Sequence, residues 1–297
     1  MDLDALDLFL SVVRQGSFAG SAKERGIDPS SVSRAIADLE AELGVRLFQR
    51  TTRRMALTDA GHTYFARVEP LVEELSRAAA AAGEASGSPR GTLRVTASVS
   101  FGQTLIAPLL GDFRALYPHL KLECAFTDEN VDLVADRIDL AIRLAPTVEG
   151  DLIIAKLMDT RYRVIASPGY LAAAPLLQRP DDLRHHRCLM FNIKAFQTRW
   201  LFRDAAGTLI EVPIDGDIAM NPGGALRDLA LQGLGPALLP HWLVDSDIAA
   251  GRLVRVFPEF AVTATTFDTA AWIVYPSRAY LPGKVRAMIA FLKERLA

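Results

Sequence analysis

The chain has 297 residues, half of them hydrophobic, and a formal net charge of −2. That length exceeds one small domain and implies two or three cores, while the balanced charge excludes a polycation that binds nucleic acid non-specifically. No run reaches about 18 apolar residues, and the acidic N-terminus has its first basic residue at Arg14. Neither a membrane span nor a signal peptide is therefore expected, and the expected location is the cytoplasm.

In chain order, Leu3, Leu6, Phe9, Leu10 and Val13 repeat at helical spacing and predict a first helix that Gly16 ends. Ser17 suits the N-cap of a second, short helix through Ala19, Ala22 and Lys23, stopped by Gly26. Asp28 as N-cap and Pro29 as first helical residue predict a third helix to about Leu43. Its Val32, Ile36, Leu39 and Leu43 face inward, leaving Ser30, Ser31, Ser33, Arg34, Ala37 and Asp38 outward. Small, hydrogen-bonding residues at the exposed start of such a helix suit entry into a DNA major groove.

Residues 44–58 then carry Arg46, Arg50, Arg53 and Arg54 and no acid, which reads as a phosphate-binding wing. Yet residues 1–90 hold 11 Lys+Arg against 13 Asp+Glu. DNA affinity must come from a few placed contacts, doubled by a second subunit.

These residues carry a family resemblance. SVSRAIADLEAELGVRLFQRT at 31–51 and LTDAG at 57–61 resemble the winged helix of LysR-type transcriptional regulators. The similarity extends over the whole chain, but beyond the first sixty or so residues it rests on element order and short motifs such as GLGPALLP at 233–240. The resemblance implies a regulator that binds promoter inverted repeats as a dimer or tetramer, answers a small-molecule effector, and engages RNA polymerase if it activates. Ser30, Ser31, Ser33 and Arg34 would face the groove and Arg50, Arg53 and Arg54 the backbone. Many members open the recognition helix with Ser-Gln where this chain has Asp28-Pro29. A proline offers only apolar contact, so base reading is expected of Ser33 and Arg34.

Residues 58–86 read as one long helix with Thr58 as cap, spanning roughly 40 Å at ~1.5 Å per residue. Its apolar stripe, from Tyr64 to Leu75, has no domain core to cover it and is expected to pair with a second copy. Pro70 lies inside it, which predicts a kink or a break near Glu69. The small, polar stretch 83–91 is the expected hinge.

From Thr92, strands at 93–98, 120–126 and 139–144 alternate with helices, the first over about 102–117 and a short one before the third strand. This alternation predicts βαβ units in a parallel sheet. A second block from 162 to about 267 repeats the style, and a strand at 270–277 and a final helix close the chain. The resemblance places that return in the first lobe. The whole is then α/β with an all-α N-terminus: a winged helix-turn-helix (1–58), a linker helix and hinge (59–90), and a two-lobed effector domain (91–297) like the type 2 periplasmic binding proteins. Lobe 1 takes about 91–161 and 268–297, and lobe 2 about 162–267.

Ligands of open α/β sheets sit at strand carboxyl ends, where helix N-termini present free N–H groups. That rule selects Ser98, Ser100, Phe101, Thr127, Arg143, Asn221 and Gly223 as effector candidates. Ser100 with Gln103 also spells a capping box, Thr127-Asp128 a turn, and Asn221-Pro222-Gly223-Gly224 turn chemistry. Arg143 is the most informative, because a cation ending an apolar strand must be paired or face a cleft. Phe196 and Trp200 read either as a lid or as core.

The two cysteines, Cys124 and Cys188, read as buried thiols, with a redox pair as the sharper alternative. His185-His186 reads as a solvated loop pair, and no Cys/His spacing suits a metal. No cofactor is expected. No phosphate-binding glycine loop, nucleophile elbow or paired carboxylates point to an enzyme. The alternative reading is a cytoplasmic small-molecule-binding protein or an enzyme on the same two-lobed fold.

Overall fold

Three side chains close the N-termini of the first unit's helices from within their own segments. Ser17 Oγ accepts from the Gly20 N–H (2.9 Å), Asp28 Oδ1 from the Ser30 N–H (2.8 Å) and Thr58 Oγ1 from the Gly61 N–H (2.9 Å). Each such cap is worth about 0.5–2 kcal/mol. They start α2 (Phe18–Arg25), α3 (Pro29–Leu43) and α4 (Asp59–Glu84), which follow α1 (Leu3–Gln15). Gly26 and Gly44 end α2 and α3 with φ of 65° and 69°, a backbone that favours glycine. The computed structural model describes residues 3–50, 55–84, 89–144, 152–276 and 281–296, in two units, Met1–Gly87 and Ser88–Ala297.

The core of the first unit gathers around Phe9, fully buried, whose ring meets Phe48, Tyr64 and Phe65. On α1 the buried set is Leu6, Leu8, Phe9, Leu10 and Val12, while Leu3 is 53% exposed and Val13 only half-buried. The expected stripe is thus too narrow, because α2, α3 and α4 all touch α1 and cover more than one of its faces. Two short antiparallel strands, β1 (Phe48–Arg50) and β2 (Met55–Leu57), form the base of the wing. Helix α4 runs through Pro70 without a break. Val68 and Val72 are buried on either side of it, and the Arg14–Glu69 ion pair (3.2 Å) adds a tie to α1. Leu71 and Leu75, one turn apart, stay 62% and 51% exposed. Of the expected hinge, residues 85–88 lie outside the described residues.

The second unit opens with β3 (Gly91–Ala97), an irregular helical stretch from α5 (Val99–Phe101) to α6 (Leu110–Leu116), then β4 (Leu120–Phe126), β5 (Leu140–Arg143) and β6 (Leu152–Asp159). Pro108 cannot donate to the turn before it, and the Ala107 N–H reaches back five residues to the Gly102 carbonyl. The expected uniform helix therefore widens and then tightens. Gly102 packs against the Phe126 ring, where a Cβ would overlap. The short helix expected before β5 is instead a set of turns after Asp132, whose Oδ1 accepts from the Val134 and Ala135 N–H groups (2.9 and 3.0 Å).

The second lobe contains β7 (Tyr162–Ala166), α7 (Pro168–Ala173), β8 (Arg187–Phe191), α8 (Lys194–Thr198), β9 (Arg199–Arg203), β10 (Leu209–Pro213) and β11 (Asp215–Met220). There follow α9 (Gly223–Leu231), β12 (Ala237–Pro240), α10 (His241–Ala249), β13 (Val254–Val256) and β14 (Ala261–Thr263). Only β11, β8 and β12 run parallel. The rest of the sheet, ordered β10-β9-β14-β7-β12-β8-β11 with β13 beside β7, is antiparallel. The expected repeat of βαβ style holds only in part, because the turn between β9 and β10, closed by Asp204 on the Thr208 N–H (2.8 Å), is too short for a crossover.

The last strand, β15 (Ala270–Pro276), returns to the first sheet, ordered β4-β3-β5-β15-β6, and α11 (Gly283–Leu296) packs on it. Lys284 Nζ donates to Asp139 Oδ2 and to the Thr92 carbonyl, both at 2.6 Å, and Asp139 also accepts from the Arg94 N–H (2.9 Å). Where the chain passes between lobes, the Thr160 N–H donates to the Thr269 carbonyl (2.8 Å) and Thr269 Oγ1 to the Thr160 carbonyl (2.5 Å).

Candidate functional site

In the first unit, Pro29 at the start of α3 removes an N–H that has no helical partner, and Asp28 holds the next one. The Ser30 hydroxyl first, and then this N–H, keep the Asp28 carboxyl below its ordinary pKa. Val32, Ile36 and Leu39 are buried, which turns Ser30, Ser31, Arg34, Ala37 and Asp38 to solvent, with Ser33 half-buried. Leu43, expected inward, is only half-buried. Glu40, which sequence reasoning missed, ties the wing to this helix: its Oε1 accepts from the N–H groups of Leu47 (2.7 Å) and Phe48 (3.0 Å). Thr58 Oγ1 adds a bond to the Arg46 carbonyl (2.6 Å). Arg53 and Arg54 lie outside the described residues, as does the side chain of Arg50.

In the second unit the candidates gather where β3, β4 and β5 end. Ser98 precedes α5, and its Oγ is buried with no partner. The Val99 N–H beside it is taken by Asp128 Oδ1 (3.1 Å), so this helix start is already partly occupied by a carboxylate of the chain itself. Thr127 behaves as a turn residue: its Oγ1 accepts from the Glu129 N–H (3.2 Å) and its own N–H donates to the Ala97 carbonyl (2.9 Å).

Ser100 does something that neither expectation described. Its Oγ accepts from the Gly224 N–H at 2.8 Å, a bond between the two lobes, and it forms no capping box with Gln103. Phe101 is fully buried, with its ring edge-on to Trp242 of the other lobe at 5.1 Å and 76°. It is wall and core rather than an open contact.

Arg143 is half-buried at the end of β5, and its Nη2 is sealed from water without a hydrogen-bond partner. Burial pulls the guanidinium below its ordinary pKa against the opposing attraction of Asp128. Trp272 of β15 stands directly opposite Arg143 in the strand register, and its Nε1 is likewise buried and unpartnered. Trp242 Nε1 shares that condition. Neither tryptophan was legible as a site residue, because only long-range pairing brings them here.

The readings of Gly223, His186 and Cys124 need correction, while for Phe196 and Trp200 the core reading holds over the lid. Phe196 is buried in the second lobe's core, against Tyr162 (5.6 Å) and Phe191 (5.3 Å), and is no lid; Trp200 is buried with it, its Nε1 donating to the Phe196 carbonyl. Gly223 is a packing residue, since a Cβ there would come within 2.9 Å of Phe191 and 3.3 Å of Leu243, while the adjoining Asn221 is exposed. His186 is buried and hydrogen-bonded to the Tyr170 hydroxyl (2.8 Å) rather than solvated. Of the two thiols, Cys188 is buried, which pushes it up to about 12, whereas Cys124 is exposed on the edge strand β4.

A concavity of about 910 Å³ opens beside Tyr170 and Gly233 and is lined by none of the effector candidates. Among the described residues no group of His, Cys, Asp and Glu could hold a metal ion, and no helix is long and apolar enough to cross a membrane.

Comparison with known proteins matches this architecture along the chain. Residues 3–62 fit the bacterial regulatory helix-turn-helix protein model of the lysR family, and residues 86–297 fit the LysR substrate binding domain. The transcriptional regulator CrgA of Neisseria meningitidis is 34% identical over 293 residues, covering 99% of this chain and 96% of its own. PtxR of Pseudomonas aeruginosa is 34% identical over 297 residues, covering 100% and 93%. The solved structure of CrgA superposes with a TM-score of 0.62 at 33% identity over 100% of this chain and 99% of that one. Full-length AphB, a Vibrio cholerae virulence activator, gives 0.61 at 25% identity, with 99% of each chain covered. A helix-turn-helix whose reading face is bare and a two-lobed domain with unspent donors at its strand ends thus meet in one chain, which belongs to the LysR family of transcriptional regulators.

Proposed function

We propose that this regulator binds inverted repeats in promoter DNA as a dimer and answers a small carboxylate held between its lobes. Residues 1–58 read the DNA, 59–90 pair the subunits and link them to the sensor, and 91–297 bind the effector. The start of α3 enters the major groove with Ser30, Ser31, Ser33 and Arg34, and Arg50, Arg53 and Arg54 contact the backbone. Leu71 and Leu75, bare in the single chain, are the apolar stripe that a second α4 covers, and effector lobes add a further contact where tetramers form. RNA polymerase is the further partner if the protein activates.

The observation that carries the effector reading is Arg143: a partly buried guanidinium with a sealed, unpartnered nitrogen at a strand end suits a charge-assisted bond to an oxyanion. Ser98 Oγ, also unpartnered, is a hydroxyl donor open to another polar group of the ligand, and Ser100, Thr127, Phe101 and the Asn221–Gly223 turn frame the space between the lobes. Binding changes the angle between lobes only to the extent that the ligand prefers one arrangement.

The test is a DNA titration of the full chain against fragments selected from a randomised inverted-repeat pool. Arg34→Ala is expected to lower discrimination between sites by about 1–3 kcal/mol, and Arg53→Ala to weaken all sequences and shallow the salt slope. Wild-type affinity and selectivity in Arg34→Ala would sink the groove assignment.

A further inference from the structure

Four nitrogens that can only donate are shut off from water without a hydrogen bond: Arg227 Nε, which still faces Asp247 at 3.5 Å, and Arg143 Nη2, Trp242 Nε1 and Trp272 Nε1, which have no such counter-charge among the described residues. Buried donors are rarely left so, and each calls for an explanation. Two of these belong together. Arg143 on β5 is the register partner of Trp272 on the antiparallel β15. Side chains directly opposite in such a pair leave the same face of the sheet, with Cβ atoms about 4.5–5.5 Å apart. On that face Ala141 and Val274 pack with Leu133 and Ile138, and Trp272 rests against this cluster; Ile142 and Ile273 point to the other face, into the main core. The carboxylate whose charge acts on Arg143, Asp128, already holds the Val99 N–H through Oδ1.

We propose that Trp272 is a specificity-determining residue of the effector site: its indole N–H and the Arg143 guanidinium together grip one carboxylate, one oxygen to each donor. This rests on the reading of Arg143 as the effector's anchor. The division of labour follows from the chemistry of the two groups. Arg143 supplies charge and a planar donor fork, while the indole, which carries no charge and accepts no hydrogen bond, supplies a second donor fixed by packing. A carboxylate satisfies both. A carboxamide satisfies one and turns its NH2 toward the other, leaving a buried donor unmade, so the pair rejects the amide of its own ligand. A lone arginine at a wet surface would discriminate far less.

Acetate, succinate, benzoate and salicylate serve as probes, with benzamide as the uncharged control, titrated calorimetrically into the full chain. The chain is also labelled with 5-fluorotryptophan; its three tryptophans, Trp200, Trp242 and Trp272, give three resonances assigned by Trp→Phe variants. Trp272→Phe is expected to weaken the best-bound carboxylate about tenfold and narrow its preference over benzamide, with the Trp272 resonance of the wild-type chain shifting on titration. Wild-type affinity in Trp272→Phe, or a silent Trp272 resonance, overturns the proposal; if Arg143→Gln abolishes binding in that same series, the carboxylate reading stands without it. Should Trp272→Phe fail to fold, the wild-type resonance alone decides. A wild-type chain that binds none of the four carboxylates overturns both.

Discussion

The two units of the molecule spend their hydrogen-bonding groups differently. In the first, helix caps, the Ser11–Ser21 pair (2.7 Å) and the Glu40 tether are all consumed within the unit. Among the described residues, every buried side-chain nitrogen or oxygen without a partner lies in the second unit: Ser98, Arg143, Thr160, His186, Arg227, Trp242, Asp247 and Trp272. Arg227 and Asp247 at least form a loose ion pair at 3.5 Å, whereas Ser98, Arg143, Trp242 and Trp272 cluster at strand ends and between lobes. The first unit's polar groups are satisfied within it, whereas the second keeps unspent donors at its strand ends.

The largest expected effect attacks the second unit's scaffold rather than its unspent groups. Lys284→Met leaves Asp139 buried without its cation and should destabilise the sensor by about 3–5 kcal/mol, since half of a buried ion pair is worse than none. Hydrogen exchange of the full chain is expected to show the loss on β3 and α11 with the helices of the first unit unchanged; equal loosening of both would erase the contrast. A smaller change in the saturated unit is Asp28→Ala, which removes the cap from α3 and should cost about 0.5–2 kcal/mol, read as an earlier melting step of the reader.

The smallest effect concerns the lobe junction. The Arg161 N–H donates to His241 Nδ1 (3.1 Å) while the His241 N–H donates to the Arg161 carbonyl (2.7 Å). Burial holds His241 below its ordinary pKa, helped by Arg163 and Arg161 and opposed by Asp245. A group depressed in the folded state favours folding above its unfolded pKa, near 6.5, and loses that contribution as pH falls through the folded value. Protection of the Arg161 amide, its exchange rate relative to the intrinsic base-catalysed rate, should therefore fall below about pH 6.5 and stay constant in His241→Asn. A flat profile in the wild-type chain would remove His241 from the junction.

What could be read beforehand follows the range of the interactions. Ser17, Asp28 and Thr58 act on groups two or three residues away, and their helices start where the pattern says. Leu8 and Val12 escaped notice because three helices, not one, cover α1. Ser100 spells a cap locally, yet its partner is Gly224, 124 positions on. Phe196 sits among polar neighbours in sequence but among Tyr162 and Phe191 in space. Trp272 becomes meaningful only once β15 lies beside β5, a pairing across more than a hundred residues that no local pattern encodes.

Glu40 has a further consequence. By holding the N–H groups of Leu47 and Phe48 from within α3, its carboxylate joins recognition helix and wing base into one rigid caliper. The two jaws cannot adjust their separation independently, so a duplex whose grooves do not match that interval must bend or twist to fit. Deforming DNA costs energy that depends on its base steps. On the proposed reading of α3 as the groove helix, Glu40 couples binding to the stiffness of a site as well as to its letters.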